Sequence, residues 1–148
     1  MNRPIYEHKQ TITKEEEFKK VIEEATGHKL VKMPRAYEVD FAMLDGPDYV
    51  GCAELKCRNY TSTAFKSLIL SLHKLDALKR WRRYGSASLY VRFIDTDLVF
   101  PIADDLTLDI RFAGRTDRGD WQDSEPCIHI PIDLMDSVVS EVDGELPF

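Results

Sequence analysis

Two carboxylates and one lysine are the residues of this sequence whose types and spacing best fit a chemical role. Asp40 is followed by thirteen residues and then by Glu54, and Lys56 lies two positions after Glu54. Carboxylate oxygens are hard ligands that suit Mg²⁺ or Mn²⁺. A metal ion held by them can polarise a phosphodiester and lower the pKa of a bound water, and a nearby lysine can orient or deprotonate that water. The three residues therefore favour metal-dependent hydrolysis.

A predicted hairpin brings these residues together. The tetrapeptide at positions 45–48, Asp-Gly-Pro-Asp, has the composition of a turn, and strands are predicted on either side of it at residues 37–44 and 49–57. A tight turn at this point places Asp40 opposite Glu54 or one pair removed from it.

Strand alternation then decides which side chains meet. Glu54 and Lys56 are two residues apart and share one face of the strand, whereas Leu55 points to the other face. Charges that converge on one end of a sheet are costly unless they are paired or bound to a metal, so their convergence favours a functional site. The alternative is a cross-strand ion pair on a solvated face.

The hairpin is preceded by a predicted helix and a short strand. Residues 14–26 carry an apolar stripe at helical spacing. Thr13 and Glu16 have the spacing of a capping box, and Gly27 is a typical helix end. A strand is predicted at residues 29–33.

A long helix is predicted after the hairpin, over residues 62–83, with Gly85 ending it. Its apolar residues recur at helical spacing. Ser67, Ser71 and Lys74 follow each other at intervals of four and three residues, so they share one face of such a helix. That polar face is predicted to look into the cleft.

The rest of the chain predicts more strands. They are expected at residues 88–94, 98–102, 106–112 and 127–132, with a loop at 113–125 and a short helix at 134–139. This order of elements predicts an α/β or α+β fold, in which helices flank a central mixed β-sheet.

The pattern Asp-x₁₃-Glu-x-Lys in a hairpin, after one helix and before a longer one, resembles the PD-(D/E)XK nuclease superfamily. The resemblance implies a restriction endonuclease-like fold with an αβββαβ core and Mg²⁺- or Mn²⁺-dependent hydrolysis of DNA. It also implies that Asp40 and Glu54 bind the metal, that the backbone carbonyl of Leu55 helps, and that Lys56 is catalytic.

The resemblance covers about residues 15–81 and departs from the family motif at Val39, which stands where the motif has proline. Many members of the superfamily take a further acid from the first helix. Glu17 is the candidate here for an additional metal ligand, and Glu24 is the alternative. Glu16 is expected to cap the helix instead.

Contacts to nucleic acid are expected from polar and basic side chains that follow the motif. They are Arg58, Ser71, Lys74, Arg80 and Arg83. Lys74 is expected to meet a phosphate from the polar face of the helix. The basic run at 79–83 contains a tryptophan, so it could grip the backbone and stack a base. The alternative for this run is structural, because cations are common at the C-terminus of a helix.

Composition limits the other classes of function. The net charge of −6 argues against a general coat for nucleic acid but allows a local basic patch. The three cysteines form no CxxC pair, and the four histidines lack zinc-site spacing. No stretch approaches the roughly 20 apolar residues that span a bilayer, so no membrane partner and a cytoplasmic location are expected.

Residues 1–148 are expected to form one domain, with 141–148 as a loosely held tail. A chain of this size favours structure-specific or weakly specific cleavage, and a homodimer would present a larger basic groove to DNA. Two alternatives remain. One is a nucleic-acid-binding member of the same fold that has lost turnover. The other is an acidic, phage-type interaction protein, in which Asp40, Glu54 and Lys56 would not converge.

Overall fold

The structure is a computed structural model that describes residues 3–106, 108, 110–114 and 124–138. Within these ranges the chain forms two α-helices and nine strands. In order they are α1 (Arg3–Thr26), β1 (Lys29–Lys32), β2 (Phe41–Asp45), β3 (Asp48–Cys57), β4 (Ser67–Ser71), α2 (Leu72–Trp81), β5 (Ser86–Arg92), β6 (Asp97–Pro101), β7 (Ile110–Gly114), β8 (Ser124–Pro131) and β9 (Asp136–Ser137). Two 3₁₀ turns lie at Arg35–Tyr37 and Ile132–Leu134.

The strands form two sheets. The larger has six strands in the order β1-β2-β3-β5-β6-β9, and the smaller has three in the order β4-β8-β7. Strands β3 and β5 run parallel, while the other pairs are antiparallel. The predicted mixed sheet with flanking helices is confirmed. The order α1, β1 to β3, α2, β5 matches the expected core, with β4 of the small sheet inserted before α2.

Each face of the large sheet is covered by its own set of apolar side chains. On one face α1 packs Phe18 and Ile22 against Phe41, Ala53 and Tyr90. On the other face α2 and the small sheet complete a larger core. Its members include Val39, Cys52, Leu70, Leu75, Leu78, Leu89 and Ile128. Successive residues of β3 therefore face two different cores, which is the expected alternation of a strand.

The β2–β3 hairpin contains an irregularity that sets its register. Asp45 pairs with Asp48 across a two-residue turn, whose first residue, Gly46, has φ of 62° as a type II′ turn requires. The pairing then shifts between Met43 and Leu44, so Val50 is an extra residue on β3. Such a β-bulge changes which residues face each other beyond it.

Beyond the bulge Phe41 pairs with Ala53, so the register continued by one residue sets Asp40 across from Glu54. Without the extra residue, Asp40 would lie across from Ala53, whose side chain packs on the α1 face. The bulge thus brings the two carboxylates of the motif together.

The predicted helix over residues 62–83 is wrong in its first half. Residues 67–71 form β4, which pairs with β8, and only Leu72–Trp81 is helical. Leu68 and Leu70 are buried while Ile69 is 44% exposed, which is the two-residue period of a strand. The apolar residues of this segment are compatible with a helix or with a strand. Its hydrogen bonds to β8, about sixty residues away along the chain, make it a strand.

Three smaller predictions are also corrected. The first helix begins at Arg3, so Thr13 lies inside it and does not cap it. The chain before β2 forms a 3₁₀ turn, which leaves Asp40 in a bend before the strand. The predicted helix at 134–139 is replaced, over its described residues, by a 3₁₀ turn and β9, which pairs with β6. The C-cap at Gly27 is confirmed, with φ of 76°.

Two sequence predictions lie wholly or largely outside the described residues. They are the tail at 141–148 and most of the loop at 113–125, of which only residues 113–114 and 124–125 are described. Among the described helices, none combines the length and apolar character that a membrane crossing requires.

Strands β3 and β5 pack closely at Gly51, so any side chain at this position should lower the free energy of unfolding. A Cβ on Gly51 would lie 2.8 Å from the backbone carbonyl oxygen of Ser86, and that atom cannot move aside as a side chain could. We expect Gly51→Ala to lower the free energy of unfolding by about 1–3 kcal/mol, measured by urea denaturation. Ser86→Ala alone should change it little, and adding Ser86→Ala to Gly51→Ala should not restore stability. A Gly51→Ala protein as stable as wild type would contradict this packing.

Candidate active site

Glu54 occupies the centre of the large sheet. It lies on β3 between β2 and β5, where it pairs in register with Leu89. Its side chain shares the face of Cys52, and it is 3% exposed, the only charged residue buried to this extent in the described chain. Within that part of the chain, Oε1 is buried without a hydrogen-bond partner. The predicted site is therefore not a solvated ion pair.

Two lysines lie beside the other oxygen of Glu54. Nζ of Lys56 is 3.9 Å from Oε2, as the alternation along β3 predicts, and Nζ of Lys74 is 3.4 Å from the same atom. Lys74 comes from the first turn of α2. The Ser71 hydroxyl accepts a hydrogen bond from the Lys74 backbone N–H at 3.2 Å, so it caps this helix and positions the lysine.

Asp40 approaches Glu54 from the bend before β2. Val39 is buried in the larger core and anchors this bend. Oδ2 of Asp40 accepts a hydrogen bond from the Leu55 backbone N–H at 3.1 Å. The N–H and C=O of one strand residue point to the same side of the strand, so the Leu55 carbonyl is also directed toward Asp40. The structure thus brings Asp40, Glu54, Lys56 and the Leu55 backbone together.

The surroundings of Glu54 favour its protonated form. The pKa of this carboxyl is raised to about 7, mainly by burial and then by the negative charge of Asp40, while Lys74 and Lys56 act in the opposite direction. Among the described residues, one oxygen of this carboxyl group has no hydrogen-bond partner, and a second carboxylate lies beside the group. No positive charge from the described residues is therefore present next to the unpartnered oxygen.

A divalent cation would supply that charge. The oxygens of Asp40, Glu54 and the Leu55 carbonyl match the ligand preference of Mg²⁺ and Mn²⁺, and the orphaned Oε1 is an acceptor that a cation could satisfy. The described residues hold no group of three or more His, Cys, Asp or Glu side chains that could bind a metal by themselves. The donor set therefore fits an ion that completes its shell with water or substrate oxygens.

A second charged group, which sequence reasoning did not identify, lies next to this site. Glu38 adopts a left-handed backbone with φ of 66°. Its Oε1 accepts a hydrogen bond from Nη2 of Arg80 at 2.6 Å, and its Oε2 lies 3.2 Å from Nε2 of His73. The hydrogen bond from Arg80 lowers the pKa of Glu38. His73 and Arg80 share one side of α2, but no local pattern links them to Glu38, because only the tertiary fold brings it to them.

The structure places the other predicted residues apart from the carboxylates. Glu17 is on α1, across the sheet from Glu54, and its Oε1 lies 3.8 Å from Nη1 of Arg92. The structure gives no support to its predicted role as a metal ligand. The Arg58 guanidinium donates to the carbonyl of its neighbour Cys57 at 3.3 Å. Arg80 and Arg83 line a cavity at the end of α2.

Comparisons with known proteins identify a family for this sequence and a relative of its fold. A family model described as "Phage putative PDDEXK endonuclease" matches residues 1–138. The Holliday junction resolvase Hjc of Archaeoglobus fulgidus has a similar solved structure, with a TM-score of 0.56 and 15% identity over 85% of this chain and 89% of the resolvase chain. At this identity the likeness shows the fold alone. No curated protein matches the sequence.

The buried carboxyl predicts a pH dependence of stability in metal-free protein. The unfolded chain releases the Glu54 proton near the ordinary pKa of 4.5, whereas the folded protein holds it until about 7. Stability from this group is thus fully present below pH 4.5 and is lost as the pH rises to about 7, by on the order of 3 kcal/mol.

The measurement is the free energy of unfolding of wild type and Glu54→Gln in EDTA across this pH range. We expect the difference between the two proteins to change with pH, because glutamine does not titrate. Glu24→Gln, an exposed substitution on α1, is the matched control and should follow wild type. Parallel curves for wild type and Glu54→Gln would contradict the raised pKa.

Proposed function

Because this chain belongs to the phage PD-(D/E)XK endonuclease family, we propose that it hydrolyses phosphodiester bonds in DNA and that the reaction depends on Mg²⁺ or Mn²⁺. The observation that carries the proposal is the Glu54 carboxyl group, which is buried opposite Asp40 with two lysine ammonium groups on its other oxygen. A purely structural role does not explain a buried acid with one unsatisfied oxygen.

The proposed roles follow from the position of each side chain. Asp40, Glu54 and the Leu55 carbonyl would hold the metal ion. When bound, the ion supplies Lewis acidity toward the phosphodiester and lowers the pKa of a coordinated water. Lys56 orients the attacking water and stabilises the charge that develops on the phosphoryl oxygens. Water adds to phosphorus, and the bond from phosphorus to the leaving oxygen breaks.

Lys74 has a different proposed role. Its ammonium group approaches Glu54 from α2 rather than from the sheet, and its side chain is 31% exposed. From there it can contact a phosphate that enters from solvent while it also limits the negative charge around the carboxylates. The sequence predicted a phosphate contact for Lys74 because a continuous helix would place it on one face with Ser67. Ser67 lies on β4 instead, and the proposed contact now rests on the position of Lys74 in the first turn of α2.

The alternative of an inactive member of the fold is disfavoured, because Asp40, Glu54 and Lys56 are all present and adjacent. The alternative of an acidic interaction protein is also disfavoured, because in such a protein these three residues would not converge, and here they do. A homodimer stays a prediction, and size-exclusion chromatography with light scattering would test it.

Cleavage of DNA should depend on the charges of Glu54 and Lys56. Glu54→Gln and Lys56→Met keep the shape of each side chain and remove its charge, so each should lower the rate of DNA cleavage by about 10²-fold or more. The assay is Mg²⁺-dependent cutting of plasmid and branched DNA. Lys29→Met, on β1 and exposed, is the matched control and should retain the wild-type rate. Cleavage that survives both substitutions would sink the proposed mechanism.

Cleavage and stability should both depend on a divalent metal ion. We expect EDTA to abolish cleavage and Mg²⁺ or Mn²⁺ to restore it. Metal binding should raise the melting temperature of wild type and not of Glu54→Gln, because a ligand that binds the folded state stabilises it. The stabilisation should grow as the pH rises through about 7, where the Glu54 carboxyl loses the proton that competes with the metal. Cleavage that proceeds fully in EDTA would exclude this role.

A further inference from the structure

A cavity of about 460 Å³ lies at the C-terminal end of α2, outside the carboxylate site. Its volume is within the range of about 300–1,000 Å³ that small-molecule sites occupy. Three aromatic side chains line it, and two arginines and one glutamate complete its wall. These residues are Tyr37, Trp81, Tyr84, Arg80, Arg83 and Glu38.

The aromatic wall of this cavity is held in place by packing and hydrogen bonding. Trp81 lies at the centre, with its ring 5.9 Å from that of Tyr37 and 5.7 Å from that of Tyr84, both edge-on. The indole N–H donates to the Tyr37 carbonyl at 3.1 Å. Tyr49 supports the indole from the core side at 5.8 Å.

The outer rings of the cavity remain available to a ligand. Tyr37 is 49% exposed and Tyr84 is 64% exposed. Apolar surface of this kind, at the mouth of a cavity with Arg83 in its wall, fits a flat ligand that carries negative charge at its edge.

The cavity adjoins the proposed catalytic site. Glu38 lines it and contacts both Arg80 and His73, and His73 immediately precedes Lys74, which contacts Glu54. Lys74 and Trp81 are seven residues apart on α2, so they lie on the same side of the helix about 10 Å apart. That distance is short enough for neighbouring nucleotides of one strand to contact both residues.

We propose that this cavity binds one unpaired base of the DNA substrate, close to the phosphate that is cut. The inference rests on the proposed nuclease function and specifies its substrate as DNA with a single-stranded or branched segment. Tyr84 and Tyr37 stack on the base, while Arg83 contacts an adjoining phosphate. Arg80 is already held by Glu38 and Asp76.

An unpaired base is the occupant that this chemistry selects. The faces of a base in duplex DNA are covered by its neighbours, so only a base outside the stack can enter a pocket and lie on aromatic rings. Stacking tolerates any base, which suits a cavity with a mainly aromatic wall. The Glu38 carboxylate would repel a phosphate by itself, but Arg80 and His73 already contact it.

The local charge also favours this position. The protein carries a net charge of −6, so DNA cannot be held by its general surface. Arg83 at the cavity and Lys74 at the carboxylates give a short path of two cations, because Arg80 is paired with Glu38 and Asp76. A short single strand is the form of DNA that such a path can bind.

The test is binding of a short fluorescein-labelled single strand and of a blunt duplex of the same sequence, measured by anisotropy in EDTA so that no cleavage occurs. We expect Tyr84→Ala to weaken binding of the single strand by about 5- to 100-fold and to change duplex binding less than about twofold. Tyr84→Phe should bind as wild type, because it keeps the ring. A strand with 2-aminopurine should lose fluorescence on binding to wild type, and less so with Tyr84→Ala.

Phe65→Ala is the matched control, because Phe65 is an aromatic residue with 59% exposure that packs on Tyr60 rather than in the cavity. It should leave single-strand binding unchanged. Thermal melting of each variant checks the fold. Tyr37→Ala, on a different element of the cavity wall, gives an independent second variant that should also weaken single-strand binding.

The outcomes separate this inference from the nuclease proposal. If Tyr84→Ala weakens single-strand and duplex binding equally, or weakens neither, the base pocket is overturned even when cleavage depends on Glu54. If wild type fails to bind the single strand, the pocket is overturned as well. If single-strand binding depends on Tyr84 but no DNA is cut, the pocket stands and the catalytic proposal fails.

Discussion

Placing a carboxyl group inside a sheet removes it from water, and the free energy that this costs shapes everything around Glu54. Its neighbours on both sides are strands that cannot move away, since β3 is the inner strand between β2 and β5. Protonation, the lysines on Oε2 and a cation at Oε1 are the three ways in which the fold can compensate. The first is available to the metal-free protein and the third requires the ion. We therefore regard the burial of Glu54 as the source of the proposed coupling between protons, metal and stability.

Helix α2 links the two parts of the proposed substrate path. Its first turn provides Lys74 to the carboxylates, and its last turn provides Arg80 and Trp81 to the aromatic cavity. Both ends are fixed, one by the Ser71 cap and the other by the Trp81 hydrogen bond to Tyr37. A single short helix packed on the core thus sets the distance between the site of hydrolysis and the site that we propose for an unpaired base.

Local spacing was sufficient to predict the centre of the site. The turn at 45–48 and the alternation of β3 identified a hairpin with Glu54 and Lys56 on one face. Spacing was insufficient after residue 58, because the apolar residues at 68, 70, 72, 75 and 78 fit a helix about as well as a strand followed by a helix. The pairing of β4 with β8 resolves that ambiguity, and it depends on a segment far along the chain. The Glu38 contacts were unpredictable for the same reason.

The bulge at Val50 gives the number of residues between Asp40 and Glu54 a meaning of its own. In a hairpin closed by a two-residue turn, directly facing residues always enclose an even number of others. Here Leu44 and Tyr49 face each other with four residues between them. Asp40 and Glu54 have thirteen residues between them, which is an odd number. They can still face each other because one of the thirteen, Val50, has no partner on the other strand. The parity of the interval thus encodes the irregularity. A hairpin of this type can gain two residues, one on each strand, and its acids still face each other. A single inserted or deleted residue instead turns one acid to the opposite side of the sheet.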